Sequence, residues 1–387
     1  MSPFVQLLAS AVALMMAMGI GRFALTPQLP RLIAEGQFDL TAGGLVAAAN
    51  YLGYFLGALD AMFARQPRQV RLRLHGGLWL CVLLTLASWA ADGFWSHLLL
   101  RFGTGVASAW VLVMIASLSQ QLASAHGRQR LGALVFAGPG VGIAVTGLLA
   151  LAAHLLGLDS AALWLVYGVA ALVMLLAVLP WLPRALEPAT LPLGNDRGPN
   201  NGIGRLGLVY ALYGIGYILP ATFLSQMASQ QLHGQWLADL FWPAFGLASA
   251  LGVMIVSLLR PGRTSTWLSI TLWLQGLGVL ACLLGGGVGL ALGVLLCGGP
   301  FLACMQLVMQ RSRELAPHAT QRNAGMLTAC FALGQLSGPL LAALSSRYSA
   351  SLQPALVLAA TGLAMAGVLV ITGNRSLQGC PSRTRMA

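Results

Sequence analysis

Residues 161–204 read AALWLVYGVAALVMLLAVLPWLPRALEPATLPLGNDRGPNNGIG, and the fold is decided by the break in the middle of that stretch. Up to Leu182 there is no charge, and a hydrocarbon slab roughly 30 Å thick takes about 20 such residues in a helix rising about 1.5 Å per residue. From Pro183 to Gly204 the composition inverts. Pro188, Pro192, Gly194, Asn195, Asp196, Gly198, Pro199 and Asn200 interrupt helices and favour water, which predicts a flexible linker. Outward from this break, apolar runs of membrane-crossing length fall at 4–26, 42–63, 74–91, 95–119, 131–156 and 161–182 on one side. On the other they fall at 205–228, 236–259, 266–284, 287–310, 322–345 and 352–373. The expectation is an all-α polytopic membrane protein with twelve transmembrane helices, organised as a six-helix bundle (1–182), a cytoplasmic linker (183–204) and a second six-helix bundle (205–387).

The whole chain fits that reading. Of 387 residues, 58% are hydrophobic and 8% charged, whereas an ordinary soluble domain is about a quarter charged. The formal charge of +12 would suggest nucleic acid in a soluble protein, but every basic residue is arginine and the arginines lie in short clusters between apolar runs. Arg65, Arg68, Arg71, Arg73, Arg128, Arg130, Arg184, Arg197, Arg205, Arg260, Arg263, Arg311, Arg313 and Arg322 share one face of a twelve-span topology; Arg31 and Arg347 fall on the other, with Glu35, Asp39, Asp92, Asp159 and Asp239. The positive-inside rule makes the arginine-rich face cytoplasmic, with both termini there, in a bacterial inner membrane. The run Phe4–Gly21 lacks a basic region before it and continues through Arg22, so it is expected to be a retained first helix rather than a signal peptide. Six cysteines (Cys81, Cys282, Cys297, Cys304, Cys330 and Cys380) form no CxxC pair, which argues against a disulfide framework or a zinc site.

The tripeptide Gly19, Ile20, Gly21 recurs in register as Gly214, Ile215, Gly216. The strings GIGRF (Gly19 to Phe23), NYLGYFLGAL (Asn50 to Leu59), RFGTGVASAW (Arg101 to Trp110), YGIGYILPATFL (Tyr213 to Leu224) and GQLSGP (Gly334 to Pro339) resemble the YbfB/YjiJ-type branch of the major facilitator superfamily. The resemblance covers almost the whole chain. It implies the major facilitator fold of two six-helix pseudo-repeats, and an inner-membrane solute transporter working by rocker-switch alternating access, commonly as a monomer. It implies no particular substrate.

Several side chains are then candidates for a substrate path. Arg101, followed by Gly105 and Ala109 at i+4 steps, places a cation above a closely packable face and resembles the superfamily's arginine motif of the fourth helix. Arg22 sits between Gly21 and Phe23 in the first helix, and an arginine at a helix centre costs about 2.5 to 3.5 kcal/mol to insert, so one kept there usually faces protein or water. Two such cations on one cavity would suit an anionic or carboxylate-bearing solute. Asn50, Tyr54 and the adjacent Tyr51 on the second helix, Tyr213, Tyr217, Thr222 and Gln226 on the seventh, Gln306 and Gln310 on the tenth and Gln335 on the eleventh complete a polar, aromatic lining. Efflux of amphipathic aromatic compounds through the same lining is the alternative.

Candidate gating elements are Gly138, Pro139 and Gly142 in the fifth helix, which partly resemble the superfamily's GP-containing glycine motif. Gly334, Gly338 and Pro339 form a similar element in the eleventh. Asp60 with Arg65 and Arg68 resembles the superfamily's loop after the second helix, although Leu56 stands where its glycine belongs. No carboxylate lies deep in any run, which leaves coupling open: Asp60, Asp239 or a proton carried by the substrate could serve, or the protein could be a uniporter. No cofactor motif is present. A membrane enzyme would need clustered ligands or acid–base groups, whereas His75, His97, His126, His154, His233 and His318 are scattered. A receptor or structural membrane protein would not require two similar halves.

Overall fold

The computed structural model describes residues 2–64, 66–183, 201–232, 236–259, 262–349 and 353–378. The interior of the linker and Arg65 therefore lie outside the described residues. Twelve long helices account for the fold: α1 Pro3–Ala34, α2 Leu40–Ala61, α3 Pro67–Ala90, α4 Gly93–Ala125, α5 Gln129–Leu155 and α6 Ser160–Trp181. The second half comprises α7 Asn201–Gln231, α8 Trp236–Leu258, α9 Thr264–Leu284, α10 Gly286–Leu315, α11 Thr320–Ser349 and α12 Gln353–Gln378. Helix α7 begins inside the stretch expected to be linker.

Eleven of these helices are long and apolar enough to cross a membrane, among the described residues. In the twelfth, α11, the stretch 324–341 is likewise free of charge and largely apolar. Helix α11 packs against α7 in its own half and α2 in the other.

Glycine decides which helices touch closely, because a backbone can approach another only where no Cβ intervenes. Gly19 of α1 lies against Gly142 of α5, and in the second half Gly214 of α7 and Gly334 of α11 make the corresponding α7–α11 contact. Gly53 and Gly105 bring α2 against α4; Gly252 lies against the Gly299 carbonyl to bring α8 against α10. The two halves thus repeat the same pairings. Across them, α5 meets α8, where a Cβ on Gly140 would lie 2.7 Å from the Ala250 nitrogen, and α2 meets α11, where one on Gly325 would lie 3.1 Å from the Ala58 carbonyl oxygen.

On the acid-bearing face, carboxylates serve the helices that start there. Asp39 accepts from the Ala42 amide at 2.7 Å and Asp159 from the Ala162 amide at 2.7 Å, capping the N-termini of α2 and α6. Glu35 accepts from the Ser160 amide at 2.8 Å, and Arg31 donates to the Leu158 carbonyl at 2.6 Å and the Ala150 carbonyl at 3.1 Å. The acids and the stray arginine of this face thereby tie α1 to α5 and α6.

Gly105→Ile places side-chain atoms on the Asn50 carbonyl and should lower the thermal unfolding midpoint in detergent, since overpacking costs about 1–3 kcal/mol. Gly76→Ile, where a Cβ meets nothing within 4 Å, should leave that midpoint within experimental scatter.

Candidate functional site

Arg22 is carried to the centre by a local irregularity in α1. Met15–Arg22 is a π-helical segment, with the Phe23 amide donating to the Met18 carbonyl at 3.0 Å, five residues back. Such widened turns are rare and recur at functional sites. The guanidinium that results is 3% exposed. Its Nη2 donates to Gln335 Oε1 of α11 in the other half, and its carbon stands 3.5 Å from the Tyr54 ring centroid. Tyr51 and Phe23 flank it at 5.9 and 5.3 Å. A desolvated cation over an aromatic face gains about 2 kcal/mol, which offsets only part of its burial.

What the site leaves unsatisfied is more informative. Arg22 Nε and Nη1, Gln335 Nε2, Asn50 Oδ1 and the hydroxyls of Tyr54 and Tyr217 are buried with no hydrogen-bond partner. Each such group costs roughly 1–3 kcal/mol. Among the described residues no carboxylate forms an ion pair with Arg22. A cavity of about 20 Å³ touches Arg22, Asn50, Tyr51, Tyr217 and Thr222, room for about one water. Tyr51 and Thr222 hydroxyls hydrogen-bond across the halves at 2.7 Å on its acid-facing side, and Thr26 donates to the Ala221 carbonyl at 3.4 Å. Toward the basic face, Gln321 of α11 donates to the Ala64 carbonyl just past α2. The centre is closed on both sides.

An aromatic stack forms the wall beyond Arg22. Tyr217 lies parallel to Phe301 at 4.1 Å between centroids, Phe23 meets Phe301 edge-on at 5.9 Å, and Tyr210, Tyr213 and Phe331 continue the pile. Phe301, Phe331 and Tyr210 are absent from the sequence-derived lining because an aromatic in an apolar run carries no mark of which way it faces. Tyr213 donates to the Phe301 carbonyl at 2.7 Å, so its hydroxyl is committed to the bundle.

Arg101 requires a correction. It is fully buried inside the first half, donating to the Gly21 carbonyl at 3.2 Å and to Ser88 Oγ at 2.8 Å, with Trp164 over it at 4.6 Å. It is not among the residues that line the Arg22 cavity; it ties α1, α3, α4 and α6 together. Asn50 serves both regions, its Nδ2 donating to the Arg101 carbonyl at 2.8 Å while its Oδ1 remains open. Gln306 and Gln310 also lie away from Arg22, on a separate pocket at the basic face. The side chain of Gln226 lies outside the described residues.

The gating residues are redistributed likewise. Asp60 is held by Arg73, not by Arg68, in a bidentate pair at 2.8 and 2.9 Å; Arg68 is exposed to solvent and Arg65 lies outside the described residues. Gly138 and Gly142 pack on α1, and Gly334 and Gly338 on α7, all within one half. Gly140, pointing the opposite way on α5, is the one of this glycine cluster that meets α8. Pro139 is buried at the start of the regular part of α5; the side chain of Pro339 lies outside the described residues. On the acid-bearing face His154 of α5 and Asp239 of α8 join the halves at 2.7 Å.

Two bundles of repeated pairing around a buried polar centre fit a transporter of the major facilitator type rather than an enzyme. The family model described as "Uncharacterised MFS-type transporter YbfB" matches residues 14–371, and the chain belongs to that family. It is 25% identical to the "Uncharacterized MFS-type transporter YE1530" of Yersinia enterocolitica, over 91% of this chain and 92% of that protein. Its fold is similar to the crystal structure of the human organic anion transporter MFSD10 (TETRAN), with a TM-score of 0.66, 18% identity, and coverage of 95% of this chain and 97% of that one.

The two arginines should separate by stability. Arg101→Leu strands the Ser88 hydroxyl and Gly21 carbonyl and should lower the thermal midpoint in detergent. Arg22→Leu removes an uncompensated buried cation and should hold or raise that midpoint, since replacing buried charge by apolar groups is often neutral or stabilising by about 1–4 kcal/mol.

Proposed function

We propose that the protein moves a small organic anion, most simply a carboxylate with a planar or aromatic body, by alternating exposure of the Arg22 centre. One observation carries this reading: a buried guanidinium between the halves with two nitrogens unpartnered and no carboxylate paired to it. A carboxylate would accept from one of these nitrogens in a charge-assisted hydrogen bond, and the Tyr54 and Tyr217 hydroxyls and Gln335 amide supply further donors. The stack around Tyr217 and Phe301 supports a flat apolar body behind the anionic head. A chain of the same fold is described as an organic anion transporter, so this architecture accommodates such a cargo. Extrusion of amphipathic aromatic compounds is the second reading, favoured by the same stack.

In this reading residues 1–182 and 205–387 rock about the centre, joined by the linker 183–204, within a single chain surrounded by lipid. The arginine-rich face is cytoplasmic, both termini lie there, and the membrane is a bacterial inner membrane. The Asp60–Arg73 pair near the basic face is partly exposed and weak enough, about 0–1 kcal/mol, to break and re-form within a transport cycle. Gly140 lets α5 and α8 close, and Tyr51–Thr222 and Thr26–Ala221 seal the acid-bearing side.

A thermal-shift screen of small carboxylates, amines and neutral aromatics on purified protein tests the substrate class. Carboxylates should stabilise wild type and leave Arg22→Gln unmoved; stabilisation by neutral aromatics alone, equal in both proteins, selects the second reading. With a hit in hand, Gly140→Leu should abolish its flux in proteoliposomes while retaining its binding, because the larger side chain holds α5 off α8.

A further inference from the structure

A cavity larger than the one at Arg22 is also flanked by residues of both halves. At the basic face a pocket of about 460 Å³ lies between Gln129, Arg130 and Ala133 of α5 and the ends of α8, α9 and α10. That volume falls in the range of small-molecule sites, about 300–1,000 Å³. Its walls are of two kinds. Ala133, Val256, Leu259, Trp267 and Leu307 are apolar, and Ile255 and Leu258 beside them are 60% and 73% exposed, a surface suited to lipid. Arg130 on one half and Arg313 on the other are its cations; among the described residues neither forms an ion pair, and the Glu314 carboxylate is already engaged by Arg311 at 2.9 Å and Gln310 at 3.3 Å.

A second observation points to a ligand. Gln306, 3% exposed, uses its Nε2 on Ser257 Oγ at 3.2 Å and leaves Oε1 buried without a donor, and Trp267 Nε1 is buried without an acceptor. The missing partner is therefore a group that accepts from an indole and two guanidinium groups and also donates to an amide oxygen. A phosphate ester carrying a hydroxyl has that combination. Basic pockets between transmembrane helices on the face rich in arginine are general sites for anionic headgroups.

We propose that this pocket binds a hydroxyl-bearing phosphate ester, of the kind presented by a glycerol headgroup on an anionic lipid or by a free glycerol phosphate. The ligand bridges Arg130 and Arg313, so it ties the two halves together on the basic face and stabilises this closed arrangement. The inference is independent of what Arg22 binds.

The test uses the full chain in phosphatidylcholine nanodiscs, with phosphatidylglycerol added to the bilayer in one arm and soluble glycerol 3-phosphate added in the other. The thermal midpoint should rise in at least one arm, the lipid arm identifying a headgroup and the soluble arm a free ester. An Arg130→Gln, Arg313→Gln double variant should lose the rise, with affinity at least about tenfold weaker for two lost charge-assisted contacts. Arg128→Gln, an exposed arginine outside the pocket, should keep it. Should the double variant fold poorly, Arg130→Gln alone, on an exposed side chain, gives the same comparison. No rise in either arm, or a rise unchanged by removing both arginines, overturns the proposal.

Discussion

One uncompensated charge organises this protein. Arg22 is held in the middle of two helical bundles by a single hydrogen bond to Gln335 and by the face of Tyr54, with the rest of its donors open. In water such a cation would cost nothing; between packed helices it is tolerated only because the remainder of the fold is rigid enough to impose it. The glycine contacts of α1 with α5 and α2 with α4 supply that rigidity, and the π-helical segment Met15–Arg22 supplies the direction. In the proposed reading, an anion would complete hydrogen bonds the protein leaves unmade.

The second buried arginine shows that burial alone does not mark a binding residue. Arg101 is as deep as Arg22, yet its Nη1 and Nη2 reach the Gly21 carbonyl and Ser88, leaving Nε as its one nitrogen without a partner, and Trp164 covers its face. It fixes the carbonyl of the residue before Arg22, so the structural arginine positions the backbone that carries the exposed chemistry of the other. The distinction is one of degree: both Nη groups of Arg101 are bonded within its own half, whereas Arg22 has one bonded nitrogen, reaching across the halves, and two open ones.

The number of helices was legible in the sequence, because bilayer thickness acts on every span alike. Arg22 was legible because a charge beside two glycines in an apolar run has few explanations. The partners were not. Arg101 meets Ser88 and Trp164, and Asp60 meets Arg73 rather than the nearer Arg68, through helix packing that a linear pattern does not encode. Gly140 rather than Gly138 or Gly142 faces α8 because two residues turn a helix by roughly half a revolution. Gln306 and Gln310 share the polarity of a central lining but lie on a different cavity.

The most direct measurement is the accessibility of position 22 during turnover. In a background lacking the native cysteines, Arg22→Cys should react with a membrane-impermeant thiol reagent from either face as conformations exchange, and a carboxylate that stabilises the wild type should add no protection once its cationic anchor is gone. At Tyr54→Cys, with Arg22 retained, the same carboxylate should protect. A position 22 that stays unreactive from both faces, or a Tyr54→Cys that labels equally with and without the anion, contradicts the placement of Arg22 on the solute path.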